Sequence, residues 1–172
     1  MSKEEVYLKL KELGIEYEKF DHIPIYTIEE NNNLNIKNKE YVAKNLFLTD
    51  DKKRNYYLLV VKSNKKVDLN DLKNKMNSRR LSFASEENLE KYLKLKKGSV
   101  TPLGVLNDEN NLVKVIIDED ILQNKLIGVH PNDNSATIFM QVKDLIKLIE
   151  LNGNIIKYVK VGEQSEKNSF EN

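Results

Sequence analysis

The chain has 172 residues, 40% hydrophobic and 32% charged, enough for one domain with a sizeable core and too short for two full enzyme domains. Its 28 basic and 27 acidic residues leave a net charge of +1, which argues against a protein that coats nucleic acid non-specifically, since that mode needs a strongly basic surface. The absence of cysteine excludes disulfides, thiol nucleophiles and thiolate metal sites together, and two histidines leave little for zinc, so neither a metal nor a cofactor is expected.

Along the chain, Ser2 with Glu5 forms a capping box that starts a helix over 3–13, closed by Gly14. Residues 15–20 alternate like a strand, and Thr27 with Glu30 repeats the capping box to start a short helix ending in Asn31-Asn32-Asn33. Residues 41–49 and 55–62 predict two strands of a hairpin around the charged turn 50–54. Asp68 caps a helix near 69–77, 81–84 reads as a short strand, and Ser85 caps a helix over 86–94. A loop over 98–104 precedes a second predicted hairpin, Val105-Leu106 with 112–117, flanking the turn 108–111. Asp118-Glu119-Asp120 reads as the acidic first turn of a short helix.

Apolar strand-like residues then flank the polar run Gly128 to Thr137, which reads as a loop held between two strands. A helix over 141–151 closes at Gly153, and a strand over 155–161 precedes the polar tail. The expected class is α+β, with a mixed, largely antiparallel sheet and packed helices, as one domain over 1–162 and a tail over 163–172. No apolar run approaches the roughly 20 residues that span a bilayer. The charged start, Ser2-Lys3-Glu4-Glu5, lacks the apolar core of a signal peptide, so a cytoplasmic location without membrane contact is expected.

No phosphate-binding glycine loop, Gly-x-Ser-x-Gly elbow, His-Glu-x-x-His helix or EF-hand loop is present. Four segments could carry chemistry. His130, before Pro131, can exchange protons near neutrality, and Asn134, Ser135 and Thr137 can hold a polar ligand; the same residues are ordinary turn formers. Lys44 and Asn45 interrupt an apolar run, Tyr41-Val42-Ala43 before and Leu46-Phe47-Leu48 after. An ammonium aimed into a fold is costly unless acceptors receive it, so Lys44 serves a ligand or faces solvent from an edge strand. The third segment is Gly98-Ser99-Val100-Thr101-Pro102. The fourth is His22 with Tyr26 and Thr27, where His22 reads as structural, in a connection into a helix. The lysine clusters 62, 65, 66 and 94, 96, 97, and the group Lys73, Lys75, Arg79 and Arg80, are solvated faces or local phosphate contacts.

Lys44-Asn45-Leu46-Phe47-Leu48, Gly98 to Gly104 and His130-Pro131-x-x-Asn134-x-Ala136-Thr137, in this order and at these separations, closely resemble the aminoacyl-tRNA deacylase family. That family comprises the editing domain of bacterial prolyl-tRNA synthetases and the free-standing YbaK, ProXp-ala and PrdX groups. His22 to Thr27 and Leu81 to Ser85 extend the resemblance over about residues 3–161, and the Lys-Asn-Leu-Phe-Leu run looks most like the alanyl-tRNA(Pro) deacylases. The resemblance implies a mixed fold around a curved sheet and hydrolysis of the ester between a wrong amino acid and the 3′ adenosine of tRNA(Pro). The implied partners are the acceptor end of mischarged tRNA(Pro) and prolyl-tRNA synthetase.

On that reading Lys44 holds the terminal adenosine, Asn45 fixes the ester or a water, and backbone amides from Gly98 through Ser99 and Val100 to Thr101, ahead of Pro102, receive the carbonyl oxygen. His130 with Pro131 borders the aminoacyl pocket, Asn134 and Ala136 limit its size, and Tyr26 and Thr27 form the opposite wall. Family members can use the 2′-hydroxyl of the tRNA itself, which would leave His130 as wall or positioner. The chain departs from the family at Asn132-Asp133, where some relatives carry an apolar or bulkier residue. A cysteinyl-tRNA(Pro) or other mischarged-tRNA deacylase, a non-catalytic RNA or amino-acid binding module, and a regulator of amino-acid metabolism are the alternatives.

Overall fold

Eight strands among the described residues form two sheets, and the way these meet builds the site. The computed structural model describes residues 1–162 except 28, 31 and 32, so the tail over 163–172 lies outside the described residues. Helix α1 (Lys3–Glu12) starts on the predicted capping box, with both reciprocal bonds between Ser2 and Glu5 present. Strand β1 (Tyr17–Asp21) follows. Of the second capping box one half is made, Thr27 Oγ1 accepting from the Glu30 amide at 3.0 Å, with the Glu30 carboxylate accepting from the Thr27 hydroxyl at 3.3 Å; the helix expected after it falls partly outside the described residues.

Strands β2 (Ala43–Asp50) and β3 (Tyr56–Lys62) form the expected antiparallel hairpin. Helix α2 (Leu69–Met76) is capped by Asp68, β4 (Leu81–Phe83) pairs with β2, and α3 (Glu86–Leu93) is capped by Ser85. Strand β5 (Val113–Asp118) and the short 3-10 turn Glu119–Gln123, capped by Asp118, lead to the hairpin of β6 (Leu126–Val129) and β7 (Ala136–Gln141). Helix α4 (Val142–Asn152), closed by Gly153 at φ 98°, and β8 (Ile156–Val159) complete the order.

One sheet runs β1-β7-β6 and is antiparallel; the other runs β4-β2-β3-β5-β8, antiparallel on one side of β3 and parallel on the other. The class is therefore mixed α+β, as expected, with antiparallel pairing predominating. Strand β3 lies at the centre of the second sheet. Its Leu58 and Val60 enter one core with α1, α3 and α4, while Leu59 and Val61 enter another under α2, which explains an unbroken apolar run with no polar face. Each such buried aliphatic side chain contributes about 1.5–3 kcal/mol by transfer from water.

The second predicted hairpin does not form. Residues Pro102–Asn107 are a 3-10 helix, begun by the Thr101 cap with Pro102 in its first turn. Asp108 then uses its carboxylate to accept the amides of Leu112 and Val113, at 3.1 and 2.8 Å, and the Asn154 side-chain amide at 2.9 Å. Those bonds turn the chain into β5, whose partners are β3 and β8, both parallel and remote in sequence.

A buried ionic cluster fixes the end of β3. The Lys65 ammonium donates to Asp118 at 3.0 Å, to Asp120 at 2.5 Å and to the Val161 carbonyl at 2.7 Å. Three donors thus meet three acceptors, and the end of β5 is tied to the chain beyond β8.

Candidate functional site

Strand β2 pairs with β4 only over Leu48 to Asp50, and just before it Val42 makes a single parallel bridge to Gly128 of β6. Between those anchors the outer edge of β2 is open. A side chain at 128 would come within 2.7 Å of Phe139 and 2.9 Å of Val42, so glycine is what allows β6 to approach and close one end. A cleft of about 600 Å³ occupies the gap, its walls formed by β2, the start of α3, the loop near Gly98, the segment near Tyr26 and the end of β6.

Of the residues singled out in the sequence, Tyr26, Thr27, Lys44, Asn45, Gly98, Val100 and His130 line this cleft. Lys44 lies on an interior strand, at the stretch of β2 that β4 does not cover, and lines the cleft there. Its ammonium donates to the Lys65 carbonyl, no carboxylate among the described residues pairs with it, and burial lowers its pKa. Asn45 projects from the opposite face of β2. Its Nδ2 donates to the Val100 carbonyl at a long 3.4 Å, and its buried Oδ1 has no partner among the described residues. An orphaned buried acceptor costs roughly 1–3 kcal/mol, which a ligand donor would recover.

Gly98 has φ +83°, and an added Cβ would come 3.0 Å from the Tyr26 ring, so the loop and the aromatic are packed on one another. The amides of Gly98 and Val100 donate to no acceptor among the described residues, whereas the Ser99 amide is committed to the Lys96 carbonyl at 3.0 Å. Thr101 is fully buried behind the wall. It donates to the His130 carbonyl at 2.6 Å and accepts from the Leu103 amide at 3.3 Å, joining the two loops that sequence alone left separate.

Burial lowers the His130 pKa to about 4, with the His22 charge adding to the effect and Asp133 opposing it. The imidazole is therefore neutral at physiological pH and a weak base. His22, with its ring centroid 6.0 Å away, takes the structural role: one ring nitrogen meets the Ile23 carbonyl at 2.7 Å and the other the Thr137 hydroxyl at 2.8 Å. The ring donates to the carbonyl through Nδ1, and the Thr137 hydroxyl can donate or accept at Nε2.

Ser99, Thr101, Pro102, Pro131, Asn134 and Ala136 do not line the cleft. Asn134 instead stitches the segment before Tyr26 to the β6–β7 loop, its side chain donating to the Ile25 carbonyl at 3.0 Å and its carbonyl accepting the Ile25 amide at 3.1 Å. The unusual Asn132-Asp133 pair is turn chemistry: Asn132 has φ 61°, and Asp133 accepts the Ser135 amide at 2.8 Å. Sequence reading gave no cleft role to Phe47, Phe83, Glu86 or Leu89, all of which line it. Phe47 and Phe83 fall within the segments that carry the family resemblance, and Glu86 and Leu89 follow the second of them, which is the signal that could have drawn attention to them.

Residues 22–148 match the aminoacyl-tRNA editing domain. The chain belongs to that family. It is 48% identical over 160 residues to the prolyl-tRNA editing protein ProX of Acetoanaerobium sticklandii, covering 93% of this chain and 98% of that one. It is 32% identical over 154 residues to the prolyl-tRNA synthetase associated domain-containing protein 1 of Mus musculus, covering 87% and 90%. A solved structure of a candidate trans-editing enzyme for prolyl tRNA synthetase superposes with a TM-score of 0.68, covering 94% of this chain and 99% of that one; at 20% identity the likeness is one of fold. As a member of the editing family the protein is an aminoacyl-tRNA deacylase, a hydrolase of the ester that joins an amino acid to tRNA. Among the described residues no helix is long and apolar enough to cross a membrane, and no group of three or more His, Asp and Glu is placed to hold a metal.

Proposed function

We propose that this editing domain removes alanine from mischarged alanyl-tRNA(Pro), cleaving the ester at the 3′ terminal adenosine. One observation carries the reading: consecutive residues on the open stretch of β2 offer an ammonium without a carboxylate partner and, from the other face, an amide oxygen without a donor, and both residues line a single cleft. Cation and acceptor suit a substrate that brings phosphate or ribose oxygens together with an α-ammonium. A synthetase pocket shaped for proline rejects the smaller alanine poorly, because one methylene is worth only about 1–3 kcal/mol in a hydrophobic pocket. A second, smaller pocket corrects the error.

The ester is already activated, so the protein has only to hold it, place a water and stabilise the oxyanion as it forms. Lys44 takes the oxygens of the terminal nucleotide. Asn45 accepts from the α-ammonium or the attacking water through its free Oδ1, and the amides of Gly98 and Val100 receive the carbonyl oxygen. His130, neutral at working pH, walls the aminoacyl end, with Tyr26 and Thr27 opposite. Thr101, Asn134 and the neighbouring buried residues hold these walls rather than touch substrate. Residues 1–162 form the editing domain, which meets the acceptor end of tRNA(Pro) in the cytoplasm, where prolyl-tRNA synthetase charges it.

Deacylation of alanyl-, cysteinyl- and prolyl-tRNA(Pro) side by side tests the proposal. Preference for the alanyl ester is expected. Preference for the cysteinyl ester reassigns the substrate, and turnover of none overturns the catalytic reading.

A further inference from the structure

Strand alternation divides the site in two. Ala43 and Phe47 enter the core under α1 and α3, so Asn45 shares their face of β2, whereas Leu46 and Leu48 pack with the core under α2, so Lys44 shares that one. Across the sheet, Phe83 of β4 is registered opposite Leu48 and lies on the same face as buried Leu81, two residues before it. Leu81 is 5% exposed and Phe83 is 63% exposed. Phe83 therefore has a core residue's position in the alternation but lies beyond the edge of the core, with its ring lining the cleft. Lys44 and the residue facing Phe83 are four positions apart on β2, about 13 Å of strand.

We propose that Phe83 is a base-stacking residue for the single-stranded 3′ end of the RNA substrate, which lies along the Lys44 face of β2 while the aminoacyl group crosses the open edge to the Asn45 face. This rests on the substrate assignment above. An exposed aromatic ring on the same face as an ammonium that lacks a carboxylate partner, about 13 Å along the strand from it, is a spacing that suits unpaired nucleotides, the ring taking a base and the cation a phosphate. Tyr26, 61% exposed and packed on Gly98 at the same cleft, bounds the other side of the path. The rim ion pair of Lys97 with Glu86, at 3.6 Å between side chains that are mostly exposed, leaves Lys97 available to a phosphate.

The test measures deacylation of alanyl-tRNA(Pro) by wild type, Phe83→Ala, Phe83→Trp and, as a surface control far from the cleft, Leu151→Ala. Loss of one stacked base raises KM about tenfold in Phe83→Ala with kcat within about twofold of wild type, Phe83→Trp restores KM, and Leu151→Ala changes neither. An unaltered KM in Phe83→Ala, or a fall confined to kcat, overturns the proposal. A second readout is independent of turnover: quenching of 2-aminopurine placed next to last in a short, unacylated single-stranded RNA. Quenching by wild type and Phe83→Trp but not by Phe83→Ala supports stacking even if no mischarged tRNA is hydrolysed, an outcome that would remove only the substrate assignment. Hydrolysis with equal quenching by wild type and Phe83→Ala removes the stacking alone.

Discussion

Two lysines meet at one backbone carbonyl and have opposite surroundings. The Lys65 ammonium is buried against Asp118, Asp120 and the Val161 carbonyl, so each donor has a partner and the charge is neutralised within the fold. Lys44 donates to the carbonyl of that same Lys65, has no carboxylate partner among the described residues, and is penalised by its burial. A charge matched inside the protein serves stability; one left half-matched at the wall of a cleft is, on the function proposed above, completed by an anion of the substrate.

Replacing each lysine with methionine breaks the comparison most sharply. Lys65→Met leaves Asp118 buried with its charge uncompensated, and should cost about 3–5 kcal/mol in urea or thermal unfolding. Lys44→Met deletes an ammonium that the fold does not neutralise, so stability should change by less than about 1 kcal/mol while kcat/KM for deacylation falls about 10- to 100-fold, the worth of a charge-assisted hydrogen bond. Equal destabilisation by the two variants, or full activity in Lys44→Met, would erase the distinction.

The same contrast accounts for what could be read from the sequence. Features set by neighbouring residues were legible: the Ser2–Glu5 capping box, the caps at Asp68 and Ser85, the Gly153 terminus and the β2–β3 hairpin all form where local chemistry places them. Val105-Leu106 misled because its neighbours carry turn signals, while the Asp108 carboxylate accepts the amides of Leu112 and Val113 and also the side-chain amide of Asn154 from beyond α4. At the site, Lys44 and Asn45 stood out as polar residues in an apolar run, and His130 as one of two histidines, in a polar run between two strands. The roles of Ser99, Asn134 and Ala136 did not, because only the bond from Thr101 to the His130 carbonyl and the bonds of Asn134 to Ile25 show which residues form the wall and which support it.

His130 belongs to the cleft yet behaves as a fold-determined group under acid. Unfolded, a histidine takes up its proton near pH 6.5; folded, His130 resists until about 4, chiefly through burial. The lowered folded pKa costs nothing above 6.5. Stability then falls as the pH drops through the window from 6.5 to 4, by up to about 3 kcal/mol for this residue. Unfolding of wild type and His130→Gln across that window should converge by about that amount. Activity should show no limb near pH 6.5 traceable to His130, since its ring is already neutral there; a limb near 6.5 that His130→Gln abolishes would restore it as an acid or base.

Thr101 and Asn45 bring the comparison to its smallest scale, two polar side chains at one cleft, one in the loop after Gly98 and one on β2. The Thr101 hydroxyl is fully buried with both a donor and an acceptor in place, to the Leu103 amide and the His130 carbonyl. Thr101→Val keeps the shape and leaves those two backbone groups unpaired, so it should cost about 1–2 kcal/mol of stability and affect catalysis only through the placement of His130. Asn45 makes one long bond and leaves Oδ1 unused. Asn45→Ala should therefore keep stability within about 1 kcal/mol of wild type and lower kcat/KM about tenfold, as expected for a single hydrogen bond made only to substrate. If Asn45→Ala unfolded the protein as readily as Thr101→Val while sparing turnover, the free oxygen would belong to the fold, and the open edge of β2 would lose its acceptor for the substrate.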